Sequence, residues 1–321
     1  MSEEYNGFQY EEPAYEEQTG AGEQRYENNE YSGDAEEVKE EQTLNNVNEV
    51  NEINPHVADE EAPLVIFYGP KNCGKTMTLV RLAKYLGSDH LSPESDFRKD
   101  GSYKRACANF NEVLRSNDAA ASTAVFDFIL VNMYKNKNKK VARILEAPGE
   151  HFFQEINPTA GYYSYFTDVI ASKKYKRIWC FFVPLSWEDR DTRKSYASKI
   201  NKLLESQKNP MIKKNDKVLF ICSKSDGLDV KVDNKNNLVD PIFDRLKTDN
   251  DFKEEVKKRY PDIFNNFSDA FWTGSKKPFK FITFSAGSFT KVGGGIRYDV
   301  GDNSEPEKLL KTIEKLAGFT W

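Results

Sequence analysis

The chain has 321 residues, a formal net charge of −5 and a hydrophobic content of 38%, which suits a globular protein that buries its own core. Its four cysteines lack the paired spacing of a zinc site or a disulfide framework, so we expect a reducing compartment. There is no apolar run long enough to span a bilayer and no signal-peptide or myristoylation pattern. These features argue against a membrane-spanning protein and a small secreted domain, and we expect a cytoplasmic protein.

Charge is distributed unevenly along the chain. Residues 1–62 hold 19 acidic residues against Arg25 and Lys39, which leaves 32 acidic and 44 basic residues in the remainder. We expect residues 1–62 to be a disordered acidic tail, because they have few aliphatic residues with which to build a core. The tail could serve as a solubilising arm or, through the tyrosines among its acids, contact a protein partner. The remainder of the chain, residues 63–321, is called the body below. Its excess of basic residues is compatible with binding to nucleic acid or to an anionic membrane surface.

The first predicted elements of the body enclose a phosphate-binding motif. A short apolar strand, 64–68, is followed by Gly69-Pro70-Lys71-Asn72-Cys73-Gly74-Lys75-Thr76, which has the spacing G-x-x-x-x-G-K-[ST]. A helical stripe then runs over 76–86, with Gly87 predicted as its C-cap. Backbone N–H groups and the helix dipole favour an anion at such a strand-to-helix turn, so we expect a nucleoside triphosphate to bind here.

Strands and helices alternate through the rest of the body. Apolar runs predict further strands at 124–131, 140–146, 177–184, 217–222 and 279–284. The first two of these are too close in sequence for a crossover helix, and we expect an antiparallel hairpin. Helices are predicted at 103–116, 158–173, 190–207, 240–258 and 305–317, the last with a capping box at Ser304.

These elements predict an α/β fold, a three-layer α/β/α sandwich of the P-loop NTPase type. Its six-stranded sheet would be mostly parallel with one antiparallel hairpin strand. The glycine run 293–295 follows the last strand and is predicted to be a flexible loop near the base of a bound nucleotide.

Three polar motifs follow strands of this sheet at their carboxyl ends, where α/β sheets bind ligands. The third strand is followed by Glu146–Gly149, the fifth by Ser223–Asp226 and the sixth by Ser285–Gly287. In this order they resemble the D-x-x-G, [N/T]-K-x-D and S-A motifs of the Ras-like G domain of P-loop GTPases. No closer family is indicated.

The resemblance implies a GTPase-like P-loop domain over 63–321, with insertions at 88–123 and 227–278. It implies GTP or GDP as ligand, with nucleotide contacts from Gly69, Asn72, Cys73, Gly74, Lys75, Thr76, Met77, Ser223, Lys224, Asp226, Ser285, Ala286 and Gly287. It also implies a Mg²⁺ ion held by Thr76, Thr123 and Glu146. The implied catalytic group consists of Lys75, Gly149, Glu150 and His151.

The chemistry of Asp226 favours guanine over adenine. Its carboxylate can accept from both N1–H and N2–H of guanine, whereas adenine lacks this pair of donors and would leave the carboxylate unpaired. The stem of Lys224 can cover one face of the base. The backbone N–H of Ala286 would donate to guanine O6, and Ser285 would brace the loop.

Two residues depart from the family pattern. Glu146 stands where the family has an aspartate that holds Mg²⁺ through water, so the metal shifts or another water bridges. Glu150 stands where many members have a Gln or His that orients the attacking water. Since an ionised carboxylate donates no proton and repels the γ-phosphate, we expect slow hydrolysis, with His151 as an alternative to Glu150.

The resemblance also places two switch segments. The N–H of Gly149 would sense the γ-phosphate, which makes 149–161 the second switch. In the first switch segment, Thr123 would complete the coordination shell of the metal ion, and Ser122 is the alternative residue for this role. No arginine stands within two residues before Thr123, although three farther back in the same connection remain candidates for an arginine finger: Arg98, Arg105 and Arg115.

The sequence therefore predicts a GTP-binding molecular switch with slow, Mg²⁺-dependent hydrolysis of GTP to GDP and phosphate, served by effector or regulator proteins. One alternative is a nucleotide-binding interaction module that does not hydrolyse GTP (a pseudo-GTPase). Glu146 and Glu150, which depart from the family pattern, are compatible with this alternative. The other is an ATP-using P-loop enzyme, which would bind ATP as well as GTP.

Overall fold

Apolar runs form a central sheet in the computed structural model of the protein. The structure describes residues 53–58, 61–115, 128–135, 138–147, 149, 164–171, 175–185, 190–205, 211–223, 246–269, 276–285, 287–292 and 295–319. All of them belong to one compact unit, residues 44–321.

Eleven strands and seven helices occur within these ranges. The strands are β1 (Leu64–Tyr68), β2 (Leu91–Pro93), β3 (Ile129–Lys135), β4 (Lys139–Glu146), β5 (Arg177–Pro184), β6 (Lys217–Ser223), β7 (Phe267–Ser268), β8 (Lys277–Pro278), β9 (Lys280–Phe284), β10 (Ser288–Val292) and β11 (Gly295–Asp299). The helices are α1 (Lys75–Leu86), α2 (Gly101–Arg115), α3 (Ser164–Ala171), α4 (Arg190–Glu205), α5 (Asp249–Arg259), α6 (Pro261–Phe264) and α7 (Ser304–Ala317).

The main sheet has seven strands in the order β2-β3-β4-β1-β5-β6-β9. β3 runs antiparallel to both of its neighbours, and the remaining pairs are parallel. The predicted α/β fold and the antiparallel hairpin strand are confirmed. The sheet has one strand more than the six predicted, because β2 is a three-residue strand that ends in a proline and is too short to leave a pattern in the sequence.

Helices cover both faces of the sheet, which gives the predicted three layers. On one face, Tyr196 of α4 stacks on Tyr68 of β1, with ring centroids 5.9 Å apart. On the same face, the Phe264 ring of α6 lies 4.5 Å from that of Phe220 in β6. On the other face, the guanidinium of Arg81 in α1 lies 5.7 Å from the ring of Phe284 in β9. The core is buried between these layers and rich in aromatic residues.

Several predicted boundaries move in the structure. The first strand of the hairpin begins at Ile129 instead of residue 124, and residues 121–127 lie outside the described ranges. α3 is described from Ser164, six residues after the predicted start. α5 begins at Asp249 instead of residue 240, because Thr248 and Asp251 form a capping box there.

The predicted capping box at Ser304 is wrong. The N-cap of α7 is Asn303, which makes no side-chain capping bond, and Ser304 is the first helical residue. The carboxylate of Asp302 accepts hydrogen bonds from both the backbone N–H and the hydroxyl of Ser304. This nearer acceptor replaces the predicted reciprocal pair.

The glycine run after the sixth predicted strand belongs to a second small sheet. β10 and β11 form an antiparallel hairpin in which Val292 pairs with Gly295. Gly295 therefore begins a strand and is not part of a loop as predicted, while residues 293 and 294 lie outside the described ranges.

Ordered structure begins before the predicted boundary at residue 62. Ile53 is buried, and the N–H of His56 donates to the carbonyl of Phe97 at 2.7 Å. The guanidinium of Arg143 in β4 donates to the carbonyls of Ala58 and Ala62 at 2.7 and 3.0 Å. Residues 53–58 and 61–62 are thus tied to the sheet.

The last strand in the sheet order, β9, has acidic side chains along its outer edge. Asp249 accepts from the N–H of Thr283 at 2.9 Å, and Glu305 accepts from the N–H of Ser285 at 3.2 Å. Lys308 lies 3.1 Å from Asp249 and 3.0 Å from Glu305. None of the helices in the described part of the chain has the length and apolar character needed to cross a membrane.

Candidate nucleotide-binding site

The phosphate loop connects the carboxyl end of β1 to the first residue of α1, as its sequence predicts. Asn72 and Gly74 adopt positive φ angles of 61° and 92°. Gly74 is the N-cap of α1 and provides no capping side chain, and the first turn of α1 contains no acidic residue. The positive end of this helix is therefore open to an anion.

Two glycines of the loop stand where a side chain would collide with a neighbour. A Cβ atom on Gly69 would lie 2.5 Å from Cys73 Sγ, and one on Gly74 would lie 3.3 Å from the Cβ of Ser223. Gly74 also has the positive φ that other residues rarely adopt. The loop therefore keeps its tight curve because these positions lack side chains.

Lys75 is enclosed by the loop that precedes it. Its side chain is buried, and Nζ donates to the carbonyls of Gly69 and Pro70, both at 2.8 Å. Nζ also lies 3.8 Å from Cys73 Sγ. A positive charge is thus held inside the curve of the loop, where phosphate oxygens would be bound.

Thr76 and Glu146 bring the start of α1 to the end of β4. The hydroxyl of Thr76 donates to Glu146 Oε1 at 2.9 Å, and Glu146 is only 1% exposed. Together they present oxygen atoms of the kind that Mg²⁺ prefers. The described residues contain no group of three His, Cys, Asp or Glu that could hold a metal ion.

Gly149 lies against the backbone of the phosphate loop. A Cβ atom on this residue would be 2.1 Å from the nitrogen of Lys71 and 2.5 Å from the carbonyl carbon of Pro70. The segment that follows β4 therefore contacts the loop through Gly149, because a residue with a Cβ atom could not approach the loop so closely. Two of the predicted catalytic residues, Glu150 and His151, lie outside the described residues.

Ser223 joins the end of β6 to the phosphate loop. Its hydroxyl donates to the carbonyl of Cys73 at 2.6 Å, and its side chain is buried. The structure therefore places Ser223 against the loop backbone as a brace. The residues predicted to recognise the base from the same motif, Lys224 and Asp226, lie outside the described residues.

The third motif, after β9, is held by side chains from two helices. The Ser285 hydroxyl accepts from the N–H of Gly287 at 3.1 Å, within the loop itself. Arg81 of α1 donates to the carbonyl of Ser285, and Glu305 of α7 accepts from its N–H. Ala286, which lies between them in sequence, is outside the described residues.

Sequence reasoning did not find Arg81 or Glu305 as parts of this site. Arg81 lies within the apolar run Leu79–Ala83 of α1 and is itself 4% exposed. A charged residue inside a buried helical stripe is the signal that could have identified it. Glu305 lies in the first turn of α7, and only the tertiary structure shows that it reaches Ser285.

Of the three arginines considered as an arginine finger, Arg98 has a structural role. It is buried and forms a bidentate ion pair with Asp100, in which Nε and Nη2 donate to the carboxylate at 2.8 and 2.9 Å. Nη2 also donates to the hydroxyl of Ser102 at 2.9 Å. Arg105 and Arg115 are exposed on α2. The predicted metal ligand Thr123 lies outside the described residues.

No protein-family model matches the sequence, and a search of curated proteins finds no match. Among solved structures, the chain is similar to a candidate nucleolar GTP-binding protein 1 of Plasmodium falciparum, at 16% identity and a TM-score of 0.39, over 82% of this chain and 90% of that one. It is also similar to the signal recognition particle receptor SRb-GTP/SRX complex of Chaetomium thermophilum, at 15% identity and a TM-score of 0.39, over 80% and 99%.

A third similar structure is the Saccharomyces cerevisiae Ski7 GTPase-like domain bound to GTP, at 12% identity and a TM-score of 0.40, over 84% of this chain and 52% of that one. These likenesses are distant, and the function of the chain is inferred from its own residues. The phosphate loop between β1 and α1 and the order of the strands around it give this chain the three-layer α/β fold of a P-loop nucleotide-binding protein.

Proposed function

We propose that the chain is a GTP-binding switch that hydrolyses GTP slowly to GDP and phosphate in a Mg²⁺-dependent reaction. The observation that supports this best is the convergence of separate strand ends on one phosphate loop. Thr76 of the loop contacts Glu146, the last residue of β4, and Cys73 of the loop contacts Ser223, the last residue of β6. Residues that are far apart in sequence therefore lie against a single loop, which supports a shared ligand site there.

The loop residues bind and orient the triphosphate. The uncapped N–H groups at the start of α1 face the anion, and the ammonium of Lys75 exchanges the carbonyls of Gly69 and Pro70 for β- and γ-phosphate oxygens. The phosphate oxygens and these carbonyls are all acceptors, so two of the three N–H donors of the lysine keep an oxygen partner in either case.

The residues present fit a metal ion. Thr76 and Glu146 offer two oxygen donors that already lie 2.9 Å from each other, and we propose Thr123 as a further ligand from the first switch. Mg²⁺ bound there would neutralise charge on the β- and γ-phosphate oxygens. Glu146 keeps the hydroxyl of Thr76 oriented toward this position by accepting its hydrogen bond.

The base site would be formed by Asp226 and Lys224, together with the backbone N–H of Ala286. Asp226 pairs with the guanine edge, and ATP would leave its carboxylate without donors. Ser223 and Ser285 would support this site from the phosphate loop and from the turn after β9, where the structure describes them.

Slow hydrolysis follows from Glu150. As an ionised carboxylate it accepts a proton from the attacking water but cannot donate a hydrogen bond to the γ-phosphate, whose charge it repels. His151 is the alternative group for orienting this water. The N–H of Gly149 would report the γ-phosphate, and effector or regulator proteins would recognise the segment 149–161 that follows it.

Calorimetry on the full chain with GTP, GDP and ATP in Mg²⁺ buffer tests the binding step. We expect GTP and GDP to bind at least about a hundredfold more tightly than ATP, since a guanine-specific site leaves its carboxylate unpaired with adenine. Equal affinity for ATP would reject the guanine assignment and favour an ATP-using enzyme.

Asp226→Asn provides a test with a rescue. The amide offers one donor and one acceptor, so guanine should lose affinity while xanthine, which has a carbonyl at C2, should gain it. Asp262→Asn on α6, outside the site, is the matched control and should change neither. Single-turnover phosphate release then separates a slow hydrolase from a non-hydrolysing module, in which no phosphate appears above the protein-free rate.

A further inference from the structure

Arg81 connects α1 to two loops, one of which belongs to the proposed nucleotide site. It lies on α1, six residues after Lys75, and is therefore about 9 Å from Lys75 along the helix axis. Its guanidinium donates to the carbonyl of Ser285, which follows β9, and to that of Asp302, which precedes α7, the latter at 2.7 Å. The two acceptors belong to different loops at the same edge of the sheet.

The surroundings of the guanidinium are shaped to hold it. Arg81 is 4% exposed, and its charge lies 5.7 Å from the centre of the Phe284 ring. Gly301 provides space on the other side, since a Cβ atom there would lie 3.2 Å from Arg81 Nη2. Charge-assisted hydrogen bonds in such a buried position fix geometry more strongly than they would in water.

The loop after β9 is braced from two further directions. Glu305 accepts from the N–H of Ser285 at 3.2 Å and is itself held by Lys308 at 3.0 Å. Gly287 has a φ of 100°, and a Cβ atom there would lie 2.4 Å from the carbonyl oxygen of Asp299 and 2.8 Å from the Tyr298 ring. The turn is thus confined between α1, α7 and the β10–β11 hairpin.

We propose that Arg81 is a positioning residue for base recognition, which holds the turn after β9 in fixed register with the phosphate-binding helix. The inference rests on the proposed function, because it assigns this turn to the guanine site. The guanidinium does not contact the nucleotide. It fixes the distance between the phosphate-binding helix and the turn that begins at Ser285, so that one ligand can contact both.

A purely structural role makes a different prediction. If Arg81 only stabilises the packing of α1, its loss lowers thermal stability and weakens every ligand by the same factor. If it positions the base turn, its loss weakens guanine nucleotides and leaves base-free phosphate binding in place. The ratio of the two affinities therefore distinguishes the roles.

Arg143 is a closely matched control. It is 1% exposed, donates to two backbone carbonyls, those of Ala58 and Ala62, and lies 5.0 Å from the centre of the Tyr175 ring. Its partners lie in the segment before β1 and not in the nucleotide site. Arg143→Gln should lower the thermal midpoint about as much as Arg81→Gln does, without changing ligand preference.

The experiment measures GDP and inorganic pyrophosphate binding to the full chain, by competition with a fluorescent guanine nucleotide in Mg²⁺ buffer. We expect Arg81→Gln to lower GDP affinity about tenfold while pyrophosphate affinity changes less than about twofold. Arg81→Lys should give an intermediate loss, because an ammonium cannot reach both carbonyls with the fork of a guanidinium. Arg143→Gln should keep the wild-type ratio.

An equal loss of GDP and pyrophosphate affinity in Arg81→Gln, or no loss of either, would overturn the inference. Should Arg81→Gln not fold, Arg81→Lys and Glu305→Gln, which removes the second brace on Ser285, decide the question by the same ratio. A wild-type chain that binds no guanine nucleotide would reject the proposed function itself. A wild-type chain that binds GDP, with an unchanged ratio in the variants, would reject only the role of Arg81.

Discussion

The hydroxyl of Thr76 donates to the carboxylate of Glu146 at 2.9 Å, across 70 positions of sequence. Glutamate is one methylene longer than aspartate, and its carboxylate at this position contacts the threonine directly. Thr76, the proposed metal ligand of the loop, and Glu146, the last residue of β4, are therefore oriented by each other.

We predict that Glu146→Gln reduces the Mg²⁺-dependent part of GTP affinity by about tenfold or more, because the amide removes a charged oxygen that orients and supports the metal. The measurement is GTP affinity with Mg²⁺ and again with chelator. Glu314→Gln changes another buried glutamate, on α7, and should leave the Mg²⁺ effect unchanged. An equal loss with and without Mg²⁺ would show that Glu146 acts on folding alone.

Gly149→Ala should reduce the preference for GTP over GDP by about tenfold. The added Cβ atom would lie 2.1 Å from the nitrogen of Lys71, so the segment after β4 must move away from the phosphate loop. Affinities for the two nucleotides measure this preference. Gly101→Ala is the control, since nothing lies within 4 Å of its Cβ position, and it should bind both nucleotides like the wild type. A preference retained in Gly149→Ala would argue against a γ-phosphate sensor at this residue.

The buried pair of Arg177 and Asp216 should be important for stability. Arg177 Nη2 lies 3.1 Å from Asp216, whose carboxylate also accepts from Trp179 Nε1 at 3.2 Å and the N–H of Lys213 at 2.8 Å. Asp216→Ala leaves a buried guanidinium without its counter-charge, and we expect a loss of about 3–5 kcal/mol in the free energy of unfolding.

Denaturant unfolding measures this loss, with Asp96→Ala as the comparison. Asp96 pairs with Lys99, but both side chains are more than two-thirds exposed, at 71% and 75%. Removing that carboxylate should cost less than about 1 kcal/mol. Similar losses in the two variants would mean that burial of the Arg177–Asp216 pair contributes nothing.

The start of α2 should be sensitive to acid through Asp100. Burial alone would raise the pKa of this carboxyl, but hydrogen bonds from Arg98, Ser102 and the N–H of Tyr103 outweigh burial and lower the pKa from 3.8 to about 2. Since the folded-state pKa is depressed, the stabilisation is present above about pH 4 and is lost as the pH falls toward 2.

Unfolding of the wild type and of Asp100→Asn, compared at pH 6 and at pH 2.5, tests this dependence. The wild type should be the more stable at pH 6, with the difference shrinking by about 1 kcal/mol in acid, a modest value because the side chain is 41% exposed. A difference that does not change with pH would contradict the assignment.

Continuous apolar runs are the reason that most strands could be predicted. β1 and β5 have the predicted bounds, since each is a short run of large apolar residues that the sheet buries on both faces. β2 could not be predicted, because three residues carry no periodicity and the strand exists only through its pairing with β3.

The phosphate loop was predictable because its geometry is local. Glycines at fixed spacing produce the turn, and the adjoining helix supplies the charge. The braces around it were not predictable. Arg81 meets Ser285 across 204 positions, and nothing in either local sequence specifies the other. The roles of Asp226 and Thr123 remain predictions from sequence.

The acids along the outer edge of β9 determine how a partner can approach this side of the domain. With the N–H groups of Thr283 and Ser285 already bound to Asp249 and Glu305, an incoming extended peptide finds these two donors occupied. Growth of the sheet by one more strand, either from a second copy or from a ligand peptide, is thereby disfavoured. Exposed side chains on the surface of α7, such as Lys311, remain accessible to a protein that docks on this side.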